Sequence, residues 1–318
     1  MEVNMNKKFV IGVDLGGTKI YTALVDLEGN IKKEITIKTE AEKGEVAVLE
    51  KILYTIDTVL EGTDINEVKA IGVGSPGPLD VEKGLIVYTP NLPFKNFNIV
   101  KPIKDKYKVD TYLDNDANVA TLGEFMFGAG KGSKNMVFIT ASTGIGGGAI
   151  LNGNLFRGST ANALEVGHMT VMQGGPRCGC GNTGCAESLA SGTAIMKRAN
   201  EAVASNANTS LKNYDKVTAR EVFIEAEKGD LVAKDILDNA LSYLGITVTN
   251  VANIFDPDII VIGGGVSNGG RIVFDKIQEE MNRRCLRTIA TNCKVEKAVL
   301  DSKAGVLGAA ALAILESK

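Results

Sequence analysis

The sequence predicts an α/β protein built from two related halves. Short β-branched runs alternate with segments whose apolar residues recur at helical spacing, the pattern of α/β folds. A unit of strand, glycine turn and strand occurs twice, at residues 9–25 and 136–151. The length of 318 residues suits two domains of about 100–200 residues each.

Taken in order, the first strand covers residues 9–13 and meets Asp14-Leu15-Gly16-Gly17-Thr18-Lys19. Strand-forming residues 20–25 follow, then a turn over 26–30. A Rossmann fingerprint would place its third glycine at the start of a helix, so a strand here argues against it. Gly12 and Gly17 have the spacing of a P-loop, but Thr18 comes next and Lys19 is displaced, which disfavours that fold too. Val46, Leu49, Ile52, Leu53, Ile56 and Leu60 predict an amphipathic helix. Residues 68–74 read as a strand that ends in the turn Ser75-Pro76-Gly77-Pro78. Residues 109–113 form another, ending in Asp114-Asn115-Asp116-Ala117-Asn118, with a helix through Phe127.

The opening pattern then returns. Residues 136–140 form an apolar strand, and Ser142-Thr143-Gly144-Ile145-Gly146-Gly147-Gly148 reads as a glycine turn. A second strand starts at 149–151, before the turn dipeptide Asn152-Gly153. Helices dominate the rest. Thr218 and Glu221 match a capping box, and 231–254 carries a long apolar periodicity. Residues 258–262 make a buried-type strand ending in Gly263-Gly264-Gly265, 295–300 a last strand and 304–315 a last helix.

Composition narrows the function. Hydrophobic residues at 44% and charged residues at 23% are those of an ordered, soluble chain. No apolar run approaches the ~18 residues of a membrane span. A net charge of −3 offers no broad basic surface, so nucleic acid is not an expected partner. The apolar run at 9–13 is too short for the core of a signal peptide, and a cytoplasmic protein is expected. Five cysteines in that compartment point to metal or free thiols. The 36 glycines suggest tight turns, or loops that approach a ligand closely.

His168, the only histidine, is followed by Cys178, Cys180 and Cys185, with glycines at 179, 181 and 184. One imidazole and three thiolates form a tetrahedral set that suits structural zinc. The alternative is a reduced cysteine cluster beside an unrelated histidine; clustering in a cytosolic chain favours metal. Cys285 and Cys293 read as ordinary core or free thiols. Glu165 would share a helical face with His168, and Glu187 comes two residues after Cys185. Carboxylates held by such a loop suit a polyhydroxylated ligand, although each alone reads equally well as a solvated surface glutamate. Asp116 lies between a strand end and a helix, where α/β folds place ligands, and could take a proton from a hydroxyl nucleophile. From spacing alone an N-cap is the stronger reading of Asp116.

Asp14-Leu15-Gly16-Gly17-Thr18-Lys19 resembles the first phosphate motif of the superfamily of sugar kinases, actin and heat-shock chaperones. Glu165-Val166-Gly167-His168, with Cys178-Gly179-Cys180-Gly181-Asn182-Thr183-Gly184-Cys185-Ala186-Glu187, resembles the signature of the ROK family of repressors, open reading frames and kinases. The resemblance covers nearly the whole chain. It implies a two-domain sugar kinase/actin-like (ribonuclease H-like) α/β fold with a catalytic cleft between domains. Residues 1–116 plus 303–318 would form the N-terminal domain, and 117–302 the C-terminal domain with the zinc loop.

By position, Asp116 matches the catalytic base, and Gly77, Asn91, Asn115, Asp116, Glu165, His168 and Glu187 the sugar contacts. His168, Cys178, Cys180 and Cys185 match ligands of a structural Zn²⁺, in a loop expected to lie far from the glycine loops. Gly16, Gly17, Thr18 and Lys19, with Thr143 and Gly144, match the two phosphate loops, and Gly264 and Gly265 the adenosine loop. Asp14 matches the residue near the nucleotide's Mg²⁺.

The implied activity is ATP-dependent transfer of a phosphoryl group to the C6 hydroxyl of glucose, a step of glycolysis. Thr89-Pro90-Asn91-Leu92 resembles the glucokinase segment, whereas Ser142-Thr143-Gly144-Ile145-Gly146 departs from the Gly-Thr-Gly of glucokinases toward N-acylmannosamine kinases. N-acylmannosamine kinase, fructokinase and a non-catalytic sugar sensor are the alternatives. Family repressors add an N-terminal helix-turn-helix, for which the eight residues before the first strand leave no room, so an enzyme is expected. The expected partners are a hexose and ATP, with no nucleic acid and no membrane, in a cytoplasmic homodimer.

Overall fold

Two five-stranded sheets organise the chain. One compact unit runs to Gly132 and takes in Asn154–Ala163 and the chain from Val299 onward; the other comprises Ser133–Gly153 and Leu164–Ala298. The computed structural model describes residues 7–89 and 91–317.

In the first unit, β1 (Phe9–Leu15) and β2 (Lys19–Asp26) form an antiparallel hairpin with Leu15 opposite Ile20, so the Asp14–Lys19 motif turns one strand back on the next. Then β3 (Ile31–Lys38) extends the meander. The amphipathic α1 (Glu45–Leu60) crosses over to β4 (Val68–Ser75), which runs parallel to β1. Three short strands, β5 (Leu79–Asp80), β6 (Leu85–Tyr88) and β7 (Lys95–Asn98), make a small separate sheet. From there α2 (Val100–Tyr107) leads to β8 (Thr111–Asn115), parallel to β4, and α3 (Asp116–Phe127) follows without a loop. Ile11, Val13, Ile52, Ile56, Ile71 and Val73 are among the fully buried side chains between sheet and helices. Burying each such aliphatic contributes about 1.5–3 kcal/mol.

The second unit repeats the plan. Its hairpin is β9 (Met136–Ala141) and β10 (Ile145–Leu151), with Ala141 opposite Ile145; the two-residue β11 (Asn154–Leu155), counted with the first unit, comes next in the chain. Four helices intervene: α4 (Ala186–Ala190), α5 (Gly192–Ala204), α6 (Ala219–Glu227) and α7 (Leu231–Phe255). Next come β12 (Ile259–Gly263), parallel to β9, then α8 (Arg271–Arg284), α9 (Arg287–Asn292) and β13 (Lys294–Lys297), parallel to β12. The strand orders β3-β2-β1-β4-β8 and β11-β10-β9-β12-β13 correspond position for position. This is the duplication expected from the two glycine turns. The capping box is present: Thr218 caps α6, and Glu221 accepts from the Thr218 N–H at 2.8 Å.

The last helix, α10 (Ala304–Glu316), packs on β1, β4 and α3. A Cβ on Gly12 would lie 2.1 Å from Val306 O, and one on Gly308 1.7 Å from Val119 O. Glycine is required there because backbone meets backbone. α3 packs on α10, and both belong to the first unit, which runs to Gly132 and resumes at Val299.

In two strands the contacts explain a departure from the expected span. Gly146, Gly147 and Gly148 lie inside β10, because the Ser142 N–H donates to Gly144 O at 2.8 Å and closes the turn early. Glycine serves that strand by admitting a neighbour: a Cβ on Gly147 would sit 3.1 Å from Val166 Cγ2. The final strand stops at Lys297, since the Val299 and Leu300 amides donate to the buried Glu124 carboxylate at 3.1 and 2.9 Å instead of to a ladder. Among the described residues no helix is long and apolar enough to cross a membrane.

Candidate active site

In the first unit the candidate residues gather at the C-terminal ends of the parallel strands, the ligand-binding edge of α/β sheets. Asp14 on β1 pairs with Gly74 on β4, which pairs with Asp114 on β8. Asn115 is the N-cap of α3, its Oδ1 accepting from the Ala117 N–H at 2.9 Å. The capping role therefore belongs to Asn115, and the N-cap reading of Asp116 is corrected: Asp116 is the first residue of the helix. Its Oδ1 accepts from the same Ala117 N–H at 2.8 Å, and its side chain is exposed. Desolvation by the surrounding protein nevertheless raises its pKa above the ordinary carboxylate value, an effect the Ala117 N–H opposes. Asp14 is raised by desolvation as well; Lys19 draws it down and the charge on Asp116 pushes it up. The charge of Asp116 on Asp14 is what a cation beside Asp14 would relieve.

The other candidates of this unit fall into pairs. The Gly16 N–H donates to Lys19 O at 2.9 Å and closes the first hairpin, with Thr18 and Lys19 exposed. A Cβ on Gly17 would lie 2.8 Å from Asn91, so Asn91 sits directly on the glycine turn. A Cβ on Gly77 would lie 3.5 Å from Asn115 Nδ2. Gly305 adjoins this group without having been singled out: a Cβ there would come 2.6 Å from Asp14 Cγ. It lies at the start of a helix far along the chain, and only a glycine in a helical first turn hints at it.

In the second unit, His168 Nδ1 lies 3.7 Å from Cys178 Sγ, and Cys180 Sγ lies 3.7 Å from Cys185 Sγ. All four donor atoms fall within 4.8 Å of one another. A tetrahedral zinc with Zn–S near 2.3 Å needs donors about 3.8 Å apart, so these residues fit that ion. Burial, with the neighbouring thiols, pushes the Cys185 thiol up to about 12. The Cys185 thiol keeps its proton unless a cation offsets the charge.

His168 ends a 3₁₀ turn, Val166–His168, whose three-residue period brings Glu165 to the same side. Glu165 Oε2 is 3.9 Å from His168 Nε2, and the Glu165 side chain is exposed. Glu187, on α4, is half-buried and is not a solvated surface residue. Its Oε1 is 3.8 Å from Cys178 Sγ, and its Oε2 accepts from the Ile145 N–H at 3.0 Å. A Cβ on Gly144 would lie 2.3 Å from that Oε2. The cysteine loop and the second glycine hairpin are therefore in contact, contrary to the expectation that they lie far apart.

Thr143 and Gly265 line a cavity of about 640 Å³. Gly264 has φ 84°, and a Cβ on it would lie 2.4 Å from Ala141 O, so only glycine brings the end of β12 this close to β9. Sequence reasoning missed most of the remaining wall. Gly192 and Thr193 at the start of α5 contribute, as do Thr218 to Arg220 at the start of α6, so two helix N-termini face the cavity. Met196, Phe223 and Val266 supply apolar surface. The available signal was in the caps, Ser191 and Thr218.

Residues 10–316 match the ROK family model. A glucokinase of Halalkalibacterium halodurans is 37% identical over 311 residues, 96% of this chain and 94% of that one. The solved ROK hexokinase of Thermus thermophilus has a TM-score of 0.83 at 34% identity, covering 97% of this chain and 98% of that one. A ROK family glucokinase of Streptomyces griseus, in complex with glucose and AMPPNP, has a TM-score of 0.77 at 34% identity, covering 96% and 98%. The match extends to the xylose repressor of Bacillus subtilis, 30% identical over 314 residues, 97% of this chain and 78% of that one. Two sheets of one order, a four-donor His/Cys loop and a match across almost every residue agree: the chain belongs to the ROK family.

Proposed function

We propose that this chain is an ATP-dependent sugar kinase that transfers the γ-phosphoryl group to the C6 hydroxyl of glucose, with Asp116 as general base. The observation that carries the reading is Asp116 itself: an exposed carboxylate of raised pKa, fixed on the first turn of α3 at the ligand-binding edge of a sheet. As O6 attacks the γ-phosphorus, Asp116 takes the O6 proton, the bond to the β–γ bridging oxygen breaks, and ADP leaves. A raised pKa makes the carboxylate a stronger base than a solvated aspartate.

The remaining candidates take the roles the family assigns. Asn115, Gly77, Asn91, Glu165, His168 and Glu187 are the sugar contacts. Backbone N–H groups of the hairpins at Gly16–Lys19 and Ser142–Gly144 receive phosphate oxygens, which glycine allows to come close. The cavity beside Gly264 and Gly265 takes the adenosine, its base against Met196 and Phe223. Asp14 would hold Mg²⁺. When bound, Mg²⁺ offsets charge on the β- and γ-phosphates. His168, Cys178, Cys180 and Cys185 hold a structural Zn²⁺, whose four protein ligands leave no open position. Were the metal held through Nδ1, the nitrogen beside Cys178, Nε2 of His168 would be free for a sugar hydroxyl.

Glucose is the first choice because glucokinases and a glucose complex stand among the relatives. The Ser142-Thr143-Gly144 hairpin keeps N-acylmannosamine as the second reading, ahead of fructose. We also take the protein to be a cytoplasmic homodimer of carbohydrate metabolism. Asp116→Asn tests the base directly. The kcat should fall at least about a hundredfold, with a smaller loss of glucose affinity. A variant with near-normal kcat would show that Asp116 is not the base.

A further inference from the structure

Behind Asp116 lies a network that the proposed chemistry does not itself use. Asp114, one residue before the cap of α3, is fully buried. Its Oδ1 accepts from the Asn115 N–H and from Asn118 Nδ2, each at 2.8 Å. Its Oδ2 accepts from Arg157 Nε at 2.6 Å. Arg157 comes from Asn154–Ala163, the excursion that belongs to the first unit although it follows β10. Its guanidinium continues through Nη2 to Glu316 Oε1 at 2.7 Å, at the end of α10. With Tyr112, Lys104 and Glu316 it lines a cavity of about 560 Å³.

We propose that Arg157 is a positioning residue for the phosphoryl transfer: paired with Asp114, it fixes the turn from Asn115 to Asn118 and so the place of the Asp116 carboxylate. This inference rests on the reading of Asp116 as the base. Asp114 meets three donors, Arg157 on Oδ2 and the two asparagine groups on Oδ1. Without Arg157 the buried side chain loses its cation. A turn toward a new partner takes Oδ1 away from the Asn115 N–H and the Asn118 amide, which are left without their acceptor. Those two residues bracket Asp116, so the peptide that carries the base shifts. A displacement near 1 Å at a reacting group can cost about a hundredfold in rate. Glu316 meets only the outer side of the guanidinium and has no such leverage.

The test compares Arg157→Ala, Arg157→Lys, Glu316→Gln and Asp116→Asn with wild type, by kcat, KM for each substrate and melting temperature. Added guanidinium chloride, matched by KCl, probes the vacated place, which the cavity leaves accessible. Arg157→Ala should lower kcat by about tenfold or more with little change in KM for ATP. Guanidinium should restore part of the loss and KCl none. Arg157→Lys should be intermediate in kcat, and Glu316→Gln should keep kcat within about twofold.

An Arg157→Ala kcat within about twofold of wild type would overturn the proposal, as would a loss that guanidinium leaves untouched. If the alanine variant does not fold, the lysine variant decides, and a wild-type kcat there overturns it. An active Asp116→Asn would mean that the base reading itself has failed. An inactive Asp116→Asn beside an active Arg157→Ala would remove only the positioning role.

Discussion

Asp116 is a costly residue for the fold to hold ionised. Its pKa is raised in the folded chain, chiefly by desolvation, so the folded state binds its proton more tightly than the unfolded chain does. That contribution favours the fold below the unfolded pKa and is lost as pH rises through the raised folded pKa. At neutral pH the ionised group therefore works against stability, and Asp14, raised in the same direction, does likewise. Asp116→Asn should leave the melting temperature unchanged or raise it by about 1–3 °C while kcat falls at least about a hundredfold. A fall of several degrees in a thermal scan would contradict this. The same shift gives kcat/KM an acid limb: activity should rise with pH through the elevated Asp116 pKa, and this limb should be absent from the residual activity of Asp116→Asn. Asp116 was visible in the sequence as a carboxylate between strand and helix, but its role was not. Spacing could not show that Asn115 takes the Ala117 N–H as the cap.

At the scale of elements, the first hairpin closes the candidate phosphate turn of the first unit, and the second hairpin meets the cysteine loop in the second. Both hairpins were legible because strand-forming residues flank each glycine group, which leaves no room for a phosphate-binding helix there. Less legible was Gly146–Gly148 as strand, since glycine is a poor strand former and is used here to admit Val166. The contact of Glu187 with the Ile145 N–H was not legible at all, because α4 and β10 are brought together only by the folded loop. It changes what loss of the metal should do. Cys180→Ala should lose zinc, measured by elemental analysis, and weaken glucose binding by about tenfold or more, as lost metal-site support does. It should weaken nucleotide binding to a lesser degree, through the hairpin. Active protein that carries no zinc would end the idea. Gly144→Ala should displace the Glu187 carboxylate, since its Cβ would lie 2.3 Å from Oε2, and should raise KM for glucose as well as for ATP. A rise in the ATP value alone would show that Glu187 does not join the two loops.

For the whole molecule, the repeated sheet order was readable from the repeated glycine turns, whereas the course of the chain between the units was not. The return of α10 to the first sheet and to α3 depends on Gly12 and Gly308, a role that their spacing does not show. The excursion at Asn154–Ala163 carries no sequence signal except an arginine, and that arginine meets a buried aspartate. A homodimer should appear in light scattering at about twice 33.6 kDa. A mass near that of one chain across a range of concentrations would refute it. The central claim, that this ROK family chain phosphorylates glucose with ATP, is tested most directly by ADP release over a panel of glucose, N-acetylmannosamine and fructose with Mg²⁺ present. The account predicts the highest kcat/KM with glucose. Turnover of N-acetylmannosamine without turnover of glucose, or no turnover of any hexose, would contradict it.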